Sequence, residues 1–191
     1  MCIRDSYTTS SLLEVARLVK SLNLNYKHTI SFAFRAKSLL TTEQQASYLK
    51  WVGNAKYALV TQGPGKLKRL QSPARVSGAK WLTALNPIVE EVDKELNYFS
   101  DTELNEQIAG MHYLQVGYPL VIAQAENTAV VLSNLHTSAD TPEKYAVADI
   151  NSNARLLAML SIALAQGTEL PEEPIKPRKL KRWLKRNGIM A

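Results

Sequence analysis

The sequence has almost no cysteine and no long apolar run. Its one cysteine, Cys2, has no second cysteine with which to form a disulfide or a thiolate metal site. The longest apolar stretches, at residues 118–135 and 156–165, are broken by polar residues or fall short of the ~20 residues that cross a bilayer. These absences exclude a disulfide-stapled scaffold and predict that the chain has no membrane span.

Residues that commonly carry catalysis or bind metals are also sparse. The three histidines, His28, His112 and His136, are far apart and form no ligand-spaced pair. The acidic run at residues 90–95 flanks an apolar stripe, which is typical of solvated surface charge. The turn at residues 63–66 lacks the wider glycine spacing and the Ser or Thr of a phosphate-binding loop. The sequence therefore predicts no metal, no cofactor and no catalytic residue, although an enzyme that uses neither metal nor cysteine stays an open alternative.

Acidic residues are missing from one long stretch, and the charge of the chain is sorted into blocks. The net charge is +6, yet residues 44–89 hold seven basic and no acidic side chains. Residues 90–149 hold eleven acidic and two basic side chains, and residues 150–191 hold eight basic and three acidic ones. This sorting predicts separate positive and negative surfaces, or blocks that neutralise each other within or between subunits. A merely solubilising acidic surface is the alternative.

The first six residues match a sequencing adapter. Residues 1–6 are what the genetic code gives for ATG TGT ATA AGA GAC AG and one further base, the end of a common transposase-based adapter. We predict that they are an artefact of reading a gene fragment, and that the fold begins near Tyr7. Composition and turn residues then predict an N-terminal helical part at 7–62, a basic connector at 63–78, a helical core at 79–167, and a proline-rich linker with a basic C-terminal helix at 168–191.

Helical periodicity dominates the chain. Apolar residues recur at helical spacing, or follow capping residues, in segments 10–24, 41–62, 81–99, 100–116, 118–135 and 140–166. Residues 28–35 alternate as in a short strand, with a helix as the open alternative. Residues 66–78 contain proline and glycine and are predicted to form an exposed, mobile basic loop. The predicted fold is therefore mainly α: a multi-helix, bundle-like domain with at most one short strand near 28–35 and a basic C-terminal tail.

Two basic segments are the candidate binding sites. The residues predicted to face phosphate in the connector are Lys66, Lys68, Arg69, Arg75 and Lys80. Those in the C-terminal run are Arg178, Lys179, Lys181, Arg182, Trp183, Lys185 and Arg186. Dense cations bind phosphate backbones through counterion release, and a tryptophan among them can stack on a base. The same run also fits an anionic membrane surface, a groove on a protein partner, or a solubilising tail.

Residues 32–60 contain a further group of motifs, namely Phe34-Arg35, Thr42-Glu43-Gln44, Leu49, Gly53 and Lys56-Tyr57. This arrangement resembles the N-terminal helix-turn-helix segment of OrfB-type transposon-associated proteins, the relatives of compact RNA-guided nucleases. The segment departs from that family's pattern because no proline precedes the helix start and Val60 stands where asparagine is usual. No counterpart of the nuclease's acidic catalytic motifs is present in the chain. The resemblance implies nucleic-acid contact near Arg35, Lys50 and Lys56.

Together these patterns predict a non-enzymatic nucleic-acid-binding protein of the cytoplasm that binds DNA or RNA through segments 63–80 and 176–186. The alternative is a helical assembly or adaptor protein whose basic tail docks on an acidic partner surface. That surface could be the protein's own residues 90–149 on a second copy, so self-association is part of this alternative.

Overall fold

A mixed β-sheet with helices on both of its faces forms the described part of the chain. The computed structural model describes residues 3–34, 55–62, 65–71, 87, 89–91, 97–99, 113, 118–125, 141, 146–167 and 176–186. Its elements are helix α1 (Ile3–Ser21), strands β1 (Ala58–Gln62), β2 (Leu67–Gln71), β3 (Asn97–Phe99) and β4 (Leu120–Ala125), and helices α2 (Val147–Gln166) and α3 (Pro177–Arg186). None of the helices in these ranges is long and apolar enough to cross a bilayer.

The sheet has the strand order β1-β4-β2-β3, so β4 lies inside it. Strand β4 pairs in parallel with β1, with Ala58 opposite Leu120, and antiparallel with β2, with Leu70 opposite Ala123. Strand β2 also pairs in parallel with β3. The sheet is therefore mixed, and its neighbouring strands come from segments that are distant in sequence.

The apolar side chains of the sheet divide between two faces. On what we call the α1/α2 face, Val121 and Ala123 of β4 belong to one core with Val15 of α1 and Leu157 and Leu160 of α2. On the α3 face, the buried residues are Ala58, Leu120, Ile122, Leu180 and Leu184. The division follows the alternation of side chains along β4, in which successive residues point to opposite sides.

Strand β4 corrects a sequence prediction, because residues 118–135 were expected to be helical and 120–125 are a strand. Leu120, Val121, Ile122 and Ala123 are all fully buried. A strand covered on both faces is apolar at consecutive positions instead of alternating. A short continuous apolar run of this kind does not distinguish a buried strand from a buried helix.

Strand β2 corrects the prediction of an exposed loop at residues 66–78. Leu67 and Leu70 are fully buried in the α1/α2 core although they are three positions apart, a spacing that does not look like a strand. The pairing with β4 shifts register between Leu67 and Arg69. An extra residue at such an irregularity returns the next side chains to the other face, which explains why both leucines point the same way.

The prediction of a mainly α bundle is therefore wrong, and the fold is α/β. Strands β1 and β3 also occupy the ends of segments predicted as helices, 41–62 and 81–99. Conversely, residues 29–34 form no strand, although 28–35 was the one place where a strand was expected. Most of the segments predicted as helices at 41–57 and 100–116, and the proline-rich linker at 168–175, lie outside the described residues, so those boundaries stay predictions.

Three helix predictions are confirmed with altered bounds. Helix α1 covers most of the segment expected at 10–24, but it begins at Ile3 and ends at Ser21, so residues 3–6 are continuous with it. Helix α2 begins at Val147 after an extended Ala146 that provides no side-chain cap, instead of near Asp140, and it ends at Gln166 before Gly167 as expected. Helix α3 matches the basic amphipathic helix expected at the C-terminal end.

A buried asparagine fixes the start of β2. The side chain of Asn153, on α2, accepts a hydrogen bond from the Leu67 N–H and donates one to the Gly65 carbonyl, each over 2.8 Å. Gly65 has a φ of 100°, in the left-handed region that favours glycine. Buried backbone groups need such partners, and leaving one unsatisfied costs about 1–3 kcal/mol. Asn153 therefore ties the turn before β2 to α2.

Candidate nucleic-acid interface

Helix α3 lies on the sheet through one apolar side and turns its charge outward. Leu180 and Leu184 are buried against Ala58, Leu120 and Ile122 of β1 and β4. The cationic side chains of the helix are all exposed, and they are Arg178, Lys179, Lys181, Arg182, Lys185 and Arg186. The predicted basic C-terminal tail is therefore corrected for residues 177–186, because this helix packs on the sheet and is part of the fold.

The exposed cations of α3 form a row on its outer side. Side chains turn by about 100° per residue along a helix. On that geometry Arg178, Arg182 and Lys185 lie opposite the apolar side formed by Leu180, Trp183 and Leu184, and the other three cations flank this row. The outermost surface of the helix is thus cationic along its whole length.

The charge arrangement of α3 is unfavourable for the helix itself. Its first turn contains no acidic residue and begins with Arg178 and Lys179, where the helix dipole favours negative charge. Arg178 and Arg182, like Lys181 and Lys185, are like charges four residues apart, which destabilise a helix. None of the six cations forms an ion pair with another described residue. Local rules are commonly broken where a protein functions, and an anionic ligand would relieve this repulsion.

The structure places three of the five connector residues. Arg69 is exposed in β2, while Lys66 and Lys68 are half-buried. Because Leu70 points into the α1/α2 core, its neighbour Arg69 lies on the α3 face of the sheet, opposite Gln124 of β4. Arg75 and Lys80 lie outside the described residues. The structure therefore brings Arg69 to the face that carries α3, which the sequence could not indicate without the strand register.

Trp183 has a different environment from the one predicted for it. Its ring is half-buried and packs against the α3-face core, beside Leu180 and Leu184. A ring in that position helps to anchor the helix and is poorly placed to stack on a base. The sequence missed the surface that receives it, because Ala58, Leu120 and Ile122 come from distant segments.

Other features of the sequence find little support at the described residues. No group of three or more His, Cys, Asp and Glu side chains that could hold a metal is found among them. In the segment that resembles OrfB-type proteins, residues 35–54 lie outside the description and 58–60 belong to β1 instead of a helix. Lys56 is exposed, and its contact with nucleic acid stays a prediction.

The described fold is of the α/β class, with a mixed sheet between helical layers. No protein-family model matches the chain, and no curated protein matches it. Among solved structures, the chain is similar to a peptidase M28 precursor from Shewanella amazonensis SB2B, with a TM-score of 0.66 over 92% of this chain. The two sequences are 15% identical, and the similarity covers 39% of that protein's chain. At this identity the likeness shows the fold alone, and it agrees with α/β architecture against a helical bundle.

Proposed function

We propose that this protein is a non-enzymatic nucleic-acid-binding protein whose helix α3 presents a fixed row of cations to the phosphates of DNA or RNA. The observation that carries the proposal is the outer side of α3, with six exposed cations, no acid, and an anchored apolar side. Arg69 on the same face of the sheet extends the positive surface. A cytoplasmic location is part of this proposal, because DNA and RNA are accessible in the cytoplasm.

The geometry of α3 favours phosphate contacts over base contacts. The one aromatic side chain of the helix, Trp183, packs toward the sheet, and the outward residues are arginine and lysine. Contacts to phosphate fix the position of a protein on nucleic acid but carry no sequence information. We therefore expect binding that is insensitive to sequence and steeply dependent on salt.

The proposal is tested by fluorescence anisotropy with labelled duplex DNA and single-stranded RNA over a series of salt concentrations. A triple variant, Arg178→Gln/Arg182→Gln/Lys185→Gln, removes the outer row of α3. Its affinity should fall, and the slope of log K against log salt on duplex DNA should become shallower by about 0.9 for each phosphate that the variant no longer neutralises.

A control variant separates this site from net charge. Lys20→Gln/Lys27→Gln/Arg155→Gln removes three exposed cations from α1, the segment after it, and α2, so its net charge equals that of the α3 variant. It should retain nearly the wild-type affinity and slope. Equal reductions of affinity in the two triple variants, or no binding by the wild type at low salt, would refute the proposal.

A second candidate function is assembly through charge. The chain also has an acidic block at residues 90–149, with eleven acidic and two basic side chains, that complements α3 on a second copy or a partner. This candidate predicts that sedimentation velocity at low salt detects a species larger than the monomer, with no bound nucleic acid. The larger species should dissociate in high salt, and it should not form in the α3 triple variant. A monomer at every salt concentration contradicts self-association.

A further inference from the structure

A groove of about 550 Å³ lies at the C-terminal end of α1. Its walls come from the last turns of the helix and from residues 23–32, which run back along it. The segment is held in place because the His28 N–H donates to the Ala165 carbonyl of α2 over 3.1 Å. The groove is largely open to solvent, and its volume lies within the range of about 300–1,000 Å³ that is typical of ligand pockets, so it is large enough for a small molecule.

The lining of the groove combines an apolar part with cationic and amide groups. Val19 is buried, and Tyr26, Ile30 and Phe32 are half-buried and pack against the α1/α2 core. The polar lining includes Lys20 and Lys27, both exposed, together with His28, two asparagines and a threonine. Among the residues that the structure describes, no aspartate or glutamate lines the groove. The sequence itself has no acidic residue between Glu14 and Glu43.

The carbonyl groups at the C-terminal end of α1 are hydrogen-bonded, which weakens their repulsion of an anion. The Leu18 carbonyl accepts from the Ser21 hydroxyl over 2.8 Å, and the Lys20 carbonyl accepts from the Asn23 N–H over 3.2 Å. The hydroxyl of Tyr26 donates to the Val19 carbonyl over 3.0 Å, which also fixes its ring in the wall. Carbonyl oxygens that would repel an anion at a helix C-terminus are thus already engaged.

We propose that this groove binds a small organic anion that has an apolar or aromatic part, such as an aryl or alkyl carboxylate, sulfonate or phosphate monoester. The apolar part lies against Tyr26, Ile30 and Phe32, and the anionic group lies near Lys20 and Lys27. The site belongs to the α1/α2 side of the sheet and is separate from the cations of α3. The proposal therefore does not depend on nucleic-acid binding.

The test uses two matched fluorescent probes and the full chain at constant ionic strength. Anilinonaphthalene sulfonate carries the anionic group, and phenylnaphthylamine is its neutral counterpart with similar aromatic rings. The wild type should bind the sulfonate more tightly than the neutral probe. Lys20→Gln/Lys27→Gln should weaken sulfonate binding about fivefold, because each exposed charge pair contributes modestly, and leave binding of the neutral probe unchanged.

Two further variants distinguish binding in this groove from nonspecific attraction of the anionic probe to a positively charged protein. Asn25→Asp adds a negative charge at the rim without a change of size and should also weaken binding of the sulfonate probe alone. Arg178→Gln/Lys179→Gln removes the same charge from α3 and should have no effect. If the α3 variant weakens sulfonate binding as much as the groove variants do, or if both probes respond alike in every variant, the groove is not an anion site. Circular dichroism of each variant checks that the probes report on folded protein.

Discussion

The two faces of the sheet are built differently. On the α1/α2 face, the described residues include fourteen buried side chains in one core, drawn from two helices, two strands and Val89. On the α3 face, they include five, two of which belong to α3 itself, the described helix of ten residues that covers the other three. The larger core favours the folded state mainly through burial, while the smaller one holds a charged helix in place. The difference indicates that the core that contributes most to stability and the cationic surface lie on opposite sides of one sheet.

The largest expected effect comes from the α1/α2 face. Leu157 is 1% exposed at the centre of that core, so Leu157→Ala should lower the free energy of unfolding by about 3 kcal/mol. The destabilisation should affect the whole molecule, with one cooperative transition in urea followed by circular dichroism. Leu13→Ala removes the same atoms from an exposed position of α1 and should change stability by less than about 0.5 kcal/mol. Equal destabilisation in the two variants contradicts the assignment of this core.

The same substitution on the α3 face should act more locally. Leu184 is 2% exposed, but its helix is short and the core beneath it is small, so Leu184→Ala should cost about 2 kcal/mol, expressed mainly as release of α3. Trypsin cleaves after lysine and arginine, and the helix contains six of these residues. Cleavage within Pro177–Arg186 should become about tenfold faster, while the urea transition of the rest of the molecule moves less than in Leu157→Ala. Unchanged proteolysis of α3 would show that the helix does not depend on this leucine.

The helices could be predicted from the sequence because their signals are local. Leu180, Trp183 and Leu184 recur at helical spacing, which marks the apolar side of α3, and a glycine at position 167 follows the last residue of α2. The strands could not be predicted in this way. The run 120–125 has no periodicity when both of its faces are buried, and the register shift in β2 gave Leu67 and Leu70 a spacing that resembles a helix.

The candidate site was predictable in its charge but not in its geometry. Composition alone identified the cations of α3, since their exposure follows from their chemistry. The docking of the helix on Ala58, Leu120 and Ile122 depends on residues about 60 to 120 positions away, and no local pattern contains that information. The placement of Arg69 on the same face requires the pairing of β2 with β4. For this reason the sequence indicated a basic tail where the structure has a helix that packs on the sheet.

The smallest expected effect on stability at neutral pH concerns Tyr7, and it grows only at alkaline pH. Tyr7 of α1 is 5% exposed. Burial, followed by the negative charge of Asp149, raises the pKa of its hydroxyl far above the ordinary value of 10.0, although the nearby Gly65 backbone opposes the shift. The neutral form is therefore favoured in the folded state, so this contribution to stability is complete below pH 10 and is lost as the pH rises above it.

Urea unfolding of wild type and Tyr7→Phe should differ little at pH 7 and diverge above pH 10, where the wild type loses more stability because only its unfolded chain ionises at this position. Other tyrosines and lysines titrate in both proteins, so the difference between the two curves isolates Tyr7. Parallel curves up to pH 11 would mean that Tyr7 ionises in the folded protein as it does in water, and that its hydroxyl is open to solvent.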